Sequence, residues 1–139
     1  MPSEKTRFVV FDTSIYVENF RTGRFTDQML HSGMIPRCSA VVLHELLRGA
    51  HARDEVAFVR ALRKNCRLVI PTEEHWHAAA EVLRAMRHRQ RYARSSLAAL
   101  TLDVLIALAA RSIGATLVTS NRADFAAIRR QLTFAVAYW

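Results

Sequence analysis

Phe8-Val9-Val10-Phe11-Asp12-Thr13-Ser14 is the stretch on which the fold turns. Four consecutive apolar, β-prone residues predict a strand buried on both faces, as in a parallel sheet. Three residues that can all cap a helix follow at once, and Ile15, Tyr16 and Phe20 supply an apolar side for that helix. Further along, Ile35 to Ser39 predicts a second strand, with Ser39 capping a helix through Val42, Leu43, Leu46 and Leu47 and Gly49 near its end or at a close contact. A short helix is expected over 25–32 and a charged amphipathic one over 54–65. Arg67 to Pro71 predicts a third strand, stopped by proline. Thr72 with Glu73 and Glu74 starts a helix that runs to about Gln90. The next helix is expected from about Leu100 to Ser112, with Gly114 in a C-cap role. Ala115 to Thr119 predicts a strand, Asn121 a short helix to about Arg130, and Phe134 to Val136 an edge strand. Strands alternating with helices indicate an α/β domain with a mostly parallel sheet. Ligands in such sheets bind beyond the carboxyl ends of the strands, where Asp12, Asn121 and Asp124 fall.

A length of 139 residues, about half of them hydrophobic, suits one domain spanning 1–139 with a real core. Only the first six residues or so read as a tail. The formal charge is +8, and eighteen of the twenty basic residues are Arg. Arg grips phosphate through a planar fork, so the balance points to nucleic acid or an acidic protein. Genome composition alone also enriches Arg over Lys. Two cysteines, Cys38 and Cys66, make no disulfide framework. The N-terminus lacks the apolar core of a signal peptide. Leu97 to Ala110 is apolar but interrupted by Thr101 and Asp103 and reads as too short for a bilayer. A soluble cytoplasmic protein with no membrane contact is expected.

Four acids carry the chemistry: Asp12, Glu45, Asp103 and Asp124. After Glu81 the remaining 58 residues hold two acids, Asp103 and Asp124, against nine arginines. Each acid also has a plainer reading. Asp12 suits a helix N-cap, and Asp124 a capping arrangement with Asn121. Glu45 suits a surface position paired with Arg48, although Val41 and Val42 lie one turn before it. Asp103 suits the first turn of a helix capped by Thr101, yet its neighbours Leu100, Leu102, Val104, Leu105 and Ile106 are apolar, and a buried carboxylate needs a partner or a cation. His44-Glu45 fails as a zinc-protease motif, because position 48 is Arg. His75 and His77 do not share a helix face, which argues against zinc. Arg84, Arg87, Arg91 and Arg94 recur at helical spacing with His88, near Trp76 and Tyr92, and read either as a solvated face or as a rim for nucleic acid.

Taken together, the apolar strand before Asp-Thr-Ser, then Glu-Leu-Leu-Arg-Gly at 45–49, Leu-Asp-Val-Leu-Ile-Ala at 102–107 and Leu-Val-Thr-Ser-Asn-Arg-Ala-Asp-Phe at 117–125, resemble a PIN domain. More narrowly they resemble the VapC-type ribonuclease toxins of bacterial toxin–antitoxin pairs. The resemblance runs from Phe8 to Phe134. It implies a three-layer α/β/α PIN-like domain around a mostly parallel five-stranded sheet. It also implies a catalytic and metal-binding quartet of Asp12, Glu45, Asp103 and Asp124. Thr13, Ser14, Thr119 and Asn121 match its small polar positions. Arg48 and Arg122 lie inside the motifs as phosphate contacts. Asn121 replaces an acid found in some relatives and removes one negative ligand. The implied activity is Mg²⁺-dependent cleavage of RNA, with Mn²⁺ able to substitute; the implied partners are a VapB-type antitoxin and a second copy in a homodimer. Two other classes remain open: a basic nucleic-acid-binding module without catalysis, and a small-molecule phosphatase with Asp12 as nucleophile. The phosphatase pattern calls for a second Asp where this chain has Ser14.

Overall fold

The computed structural model describes residues 7–139; the stretch read as a tail, Met1 to Thr6, lies outside the described residues. The chain runs β1 (Phe8–Phe11), α1 (Thr13–Thr22), α2 (Thr26–Leu30), β2 (Ile35–Ser39), α3 (Ala40–Gly49), α4 (Arg53–Asn65), β3 (Leu68–Val69), α5 (Glu73–Arg89), α6 (Arg94–Ser112), β4 (Thr116–Thr119), α7 (Arg122–Arg129) and β5 (Val136–Tyr138). The five strands form one sheet in the order β3-β2-β1-β4-β5, and every pairing is parallel. The α/β architecture expected from the sequence is present. β1 is the central strand, and Val9, Val10 and Phe11 are buried on both faces.

Local chemistry explains several boundaries. The Ser39 hydroxyl accepts from the Val41 and Val42 N–H groups and starts α3 at the end of β2. Thr72 caps α5 reciprocally: its hydroxyl accepts from the His75 N–H, and His75 Nδ1 accepts from the Thr72 N–H. That bond gives His75 a structural role, while His77 only faces Glu81 at 3.7 Å on the surface. Pro36 is tolerated inside β2 because β3 begins pairing only at Cys38. The Ile35 N–H turns toward β1, so the missing N–H of Pro36 faces open space. Gly49 ends α3 and has nothing within 4 Å of a built Cβ, so it is no close contact.

Three elements differ from the sequence reading. α6 starts at Arg94, six residues before the expected Leu100. Its N-cap, Ala93, makes no side-chain bond, so no capping signal marks the true start. β3 is trimmed to two residues, and β5 is Val136–Tyr138, with Phe134 buried ahead of it. At 19 residues α6 is also long and apolar enough to cross a membrane by length and composition, contrary to the reading that set it aside as too short. Its burial marks it as a core helix: Val104 through Ala110 are all buried between the sheet and α5. Cys38 and Cys66 are free thiols, and burial first of all pushes Cys38 up to about 12.

Candidate metal centre

β1 and β4 are neighbours although more than 100 residues separate them, and the chain leaves them in different directions. Such a switch point opens a crevice at the carboxyl ends of the strands. Asp12 follows β1 there and is only 4% exposed. It occupies the N-cap position of α1, but its side chain makes no cap hydrogen bond. Its Oδ2 instead accepts from Ser14 Oγ at 2.8 Å and from Thr119 Oγ1 at 2.8 Å. Both hydroxyls converge on one oxygen, and among the described residues none bonds to Oδ1.

The hydroxyls are themselves held. Ser14 Oγ accepts from the Ser120 N–H at 3.1 Å, and Thr119 Oγ1 accepts from the Asn121 N–H at 3.0 Å. Thr119 is fully buried, so its hydroxyl supports Asp12 and is closed to a ligand, unlike the substrate contact expected of it. Ser14 is half-buried and does the same work. Thr13 Oγ1 donates to Glu45 Oε1 at 3.0 Å, linking α1 to the middle of α3. Asn121 Oδ1 accepts from the Asp124 N–H at 3.4 Å while its Nδ2 donates to Asp124 Oδ2 at 2.9 Å. The capping arrangement of Asn121 and Asp124 is therefore real.

Asp103 overturns its plainer reading. It is the tenth residue of α6, well past the first turn, so no helix start explains it. The Thr101 hydroxyl bonds back to the Leu97 carbonyl and caps nothing. One carboxylate oxygen each from Asp12, Glu45 and Asp103 lies within 4.8 Å of the others. Asp124 stands outside that trio, yet its charge reaches Asp103. Burial first, and then Asp12, Glu45 and Asp124, push the Asp103 carboxyl from its ordinary 3.8 up to about 8. Burial also raises Glu45, against the lowering effects of the Thr13 bond and of Arg48 and His44.

This donor set fits a hard divalent cation. Its ligands are carboxylate oxygens, the set that suits Mg²⁺ or Mn²⁺. Among the described residues no Lys, Arg or His pairs with any of the four acids within 4.0 Å. The cluster is thus short of positive charge, which adds to burial in raising the Asp103 carboxyl. Arg48 is exposed one turn from Glu45, and the Arg122 guanidinium lies over the Tyr138 ring at 4.2 Å. The Tyr138 contact escaped sequence reasoning because it depends on the register of β5. Beside Glu45 opens an apolar groove of about 150 Å³, lined by Tyr16, Val17, Phe20, Leu46, Phe58 and Val59.

The family model for the PIN domain matches residues 9–131. The chain belongs to the PIN domain family. Solved structures agree on the fold. The structure of VapBC-1 from nontypeable Haemophilus influenzae contains a chain similar to this PIN domain with a TM-score of 0.70 at 17% identity, covering 95% of this chain and 98% of that one. DNA-bound VapBC from Salmonella typhimurium gives 0.68 at 17% identity over 96% and 98%. VapBC2 from Rickettsia felis, bound to a DNA fragment from its promoter, gives 0.66 at 19% identity over 95% and 98%. A comparison with the curated proteins finds no match. The acids of this PIN domain come from four separate elements: the end of β1, the middle of α3, the middle of α6 and the first turn of α7.

Proposed function

We propose that this PIN domain is an endoribonuclease and the toxin of a VapBC-type toxin–antitoxin pair. The convergence of Asp12, Glu45 and Asp103 at the end of a PIN sheet carries the reading. Asp12, Glu45 and Asp103 would hold a Mg²⁺ or Mn²⁺ ion, with Asp124 adding charge from the side. Such an ion, when bound, lowers the pKa of water and shields negative charge on a phosphate. Ser14 and Thr119 fix Asp12 so that Oδ1 points away from them, and Thr13 fixes Glu45. Glu45 would orient the ion's shell or the attacking water. Arg48, one turn from Glu45, and Arg122, two residues before Asp124, would attract the RNA backbone, which the carboxylates would otherwise repel. Asn121 is committed to Asp124 and the start of α7, and substrate contacts there would come through its remaining surface.

The partner half of the reading has its own support. The groove beside Glu45 exposes Val17, Phe20 and Phe58, a surface that invites an apolar segment of another chain. An antitoxin seated there would lie against the proposed active site and silence it. A homodimer and a single domain in the cytoplasm belong to the same proposal.

The test is mapping of new 5′ ends in total RNA treated with purified protein, comparing the parent with Asp12→Asn in Mg²⁺, Mn²⁺ and EDTA. The expected result is discrete cleavage by the parent with either metal, lost in EDTA and in the variant. Equal cleavage by the folded variant would remove the mechanism. RNA binding without cleavage under any divalent ion would reduce the protein to a binding module.

A further inference from the structure

Between Glu81 and Asp103 the chain carries five arginines and one histidine and no acid. The fold puts this charge in a defined place. α6 delivers the chain to β4 at the amino end of the sheet, where the Ala115 N–H bonds the Ala110 carbonyl, so α6 runs against the strands. Asp103 is its tenth residue. The nine residues before it, about 14 Å of helix, therefore project past the carboxylates on the side where the strands end. The turn from Gln90 to Ala93 rides at that tip.

The tip is built and anchored. Arg91 takes a left-handed conformation, φ 57°, which L side chains avoid. Gln90 Nε2 donates to the Ala127 carbonyl at 3.2 Å, and Gln90 Oε1 accepts from Gln131 Nε2 at 3.1 Å. Arg89 also donates to Gln131, at 3.2 Å. Arg87, Arg91 and Arg94 are exposed, and among the described residues none has an ion-pair partner. Arg91 and Arg94 do not continue the α5 face, because α5 ends at Arg89 and Arg94 opens a new helix. From the tip down to the cluster, the α6 face that bears Asp103 carries Ser96 and Ala99, both exposed and small.

We propose that this turn is a backbone clamp for single-stranded RNA. Arg91 and Arg94, helped by Arg87, hold phosphates a few nucleotides away from the one that is cut. The strand between runs along the open Ser96–Ala99 flank toward Asp103. The clamp deepens the nuclease reading and rests on it. A phosphodiester approaching a carboxylate cluster meets repulsion, so cations set at a distance add affinity that the site itself supplies poorly. Guanidinium forks with no large apolar side chain exposed between them match phosphates. They offer no anchor for a folded protein.

The experiment uses the full chain with Arg91→Gln and Arg94→Gln together, and circular dichroism to verify folding. Binding of a labelled mixed-sequence single-stranded RNA is followed by anisotropy in EDTA, between 50 and 200 mM salt. The pair should weaken binding about tenfold and reduce the slope of log K against log salt by about 1.4, two phosphates' worth. Arg91→Lys with Arg94→Lys, which keeps the charge, should retain most of that slope. In Mg²⁺ the loss should fall on KM, with kcat reduced less than twofold. Trimming the RNA on one flank should erase the difference between parent and variant. An unchanged slope and an unchanged KM would overturn the clamp, and so would lost binding to an acidic polypeptide with RNA binding intact. The two readings fail separately. A parent that binds through the tip but never cleaves sinks the nuclease alone. A parent that cleaves while the slope ignores the tip sinks the clamp alone.

Discussion

Replacing Asp103 with Asn is expected to make the metal-free protein more stable above neutral pH while abolishing cleavage. The Asp103 carboxyl is raised from 3.8 to about 8, by burial first and then by its three acidic neighbours. A group raised in this way holds its proton more tightly folded than unfolded. The stability it contributes is therefore complete below about pH 3.8 and is lost as pH climbs through about 8. Roughly four units at about 1.4 kcal/mol each set a ceiling near 6 kcal/mol. Asp103 is half-buried and shares its surroundings with solvent, so about 2–3 kcal/mol is the expected yield. An amide has no proton to lose and escapes this slope. At about 3 °C per kcal/mol for a chain of this size, Asp103→Asn should melt about 6–9 °C higher than the parent at pH 8.5 in EDTA. The gap should close toward pH 4. Added Mg²⁺ should raise the parent's Tm at pH 8.5 and leave the variant's nearly still. Thermal melts by circular dichroism between pH 4 and 9 measure all of this. A gap that stays constant across pH, or a variant less stable than the parent at pH 8.5, would refute the account of an unneutralised carboxylate cluster.

Two further outcomes follow from the hydrogen bonds around the site. Thr119→Val keeps the shape but removes the hydroxyl shared by Asp12 and the Asn121 N–H. It should cost about 1–3 kcal/mol in urea unfolding and lower cleavage about tenfold or more; a variant equal to the parent in both would show that the hydroxyl does not position Asp12. Ser39→Ala removes the cap of the helix that bears Glu45 and should cost about 1 kcal/mol, read as a lower urea midpoint at unchanged slope; an unmoved midpoint would count against the cap.

Much of this molecule was legible in the chain because much of it is decided locally. Phe8 to Phe11 has no polar residue to turn toward water, so a central strand was readable. Ser39 and Thr72 cap their helices through bonds that span three residues or fewer. The misread segments are those without a local signal. Ala93 gives no hint that a helix begins after it, and the polar Arg94-Ser95-Ser96 reads as loop. It is the exposed first turn of a helix whose later residues pack against α5. That error also lent Asp103 a false alibi at a helix start. β5 slid by two residues because its register is set by β4, far from its own sequence. The acids themselves could be nominated from scarcity and apolar surroundings. Their support could not: nothing near Asp12 announces that its carboxylate leans on a hydroxyl 107 residues away.

That long bridge has a consequence for the chain while it is being made. Strand β1, α3 and α6 all precede β4 in the chain, so the prop beneath Asp12 arrives only once Thr119 has been made. Closing so wide a loop is slow compared with helix formation, and it must wait for β4 to exist at all. A chain made only as far as α6 therefore carries Asp12, Glu45 and Asp103 without the hydroxyl that aims Asp12.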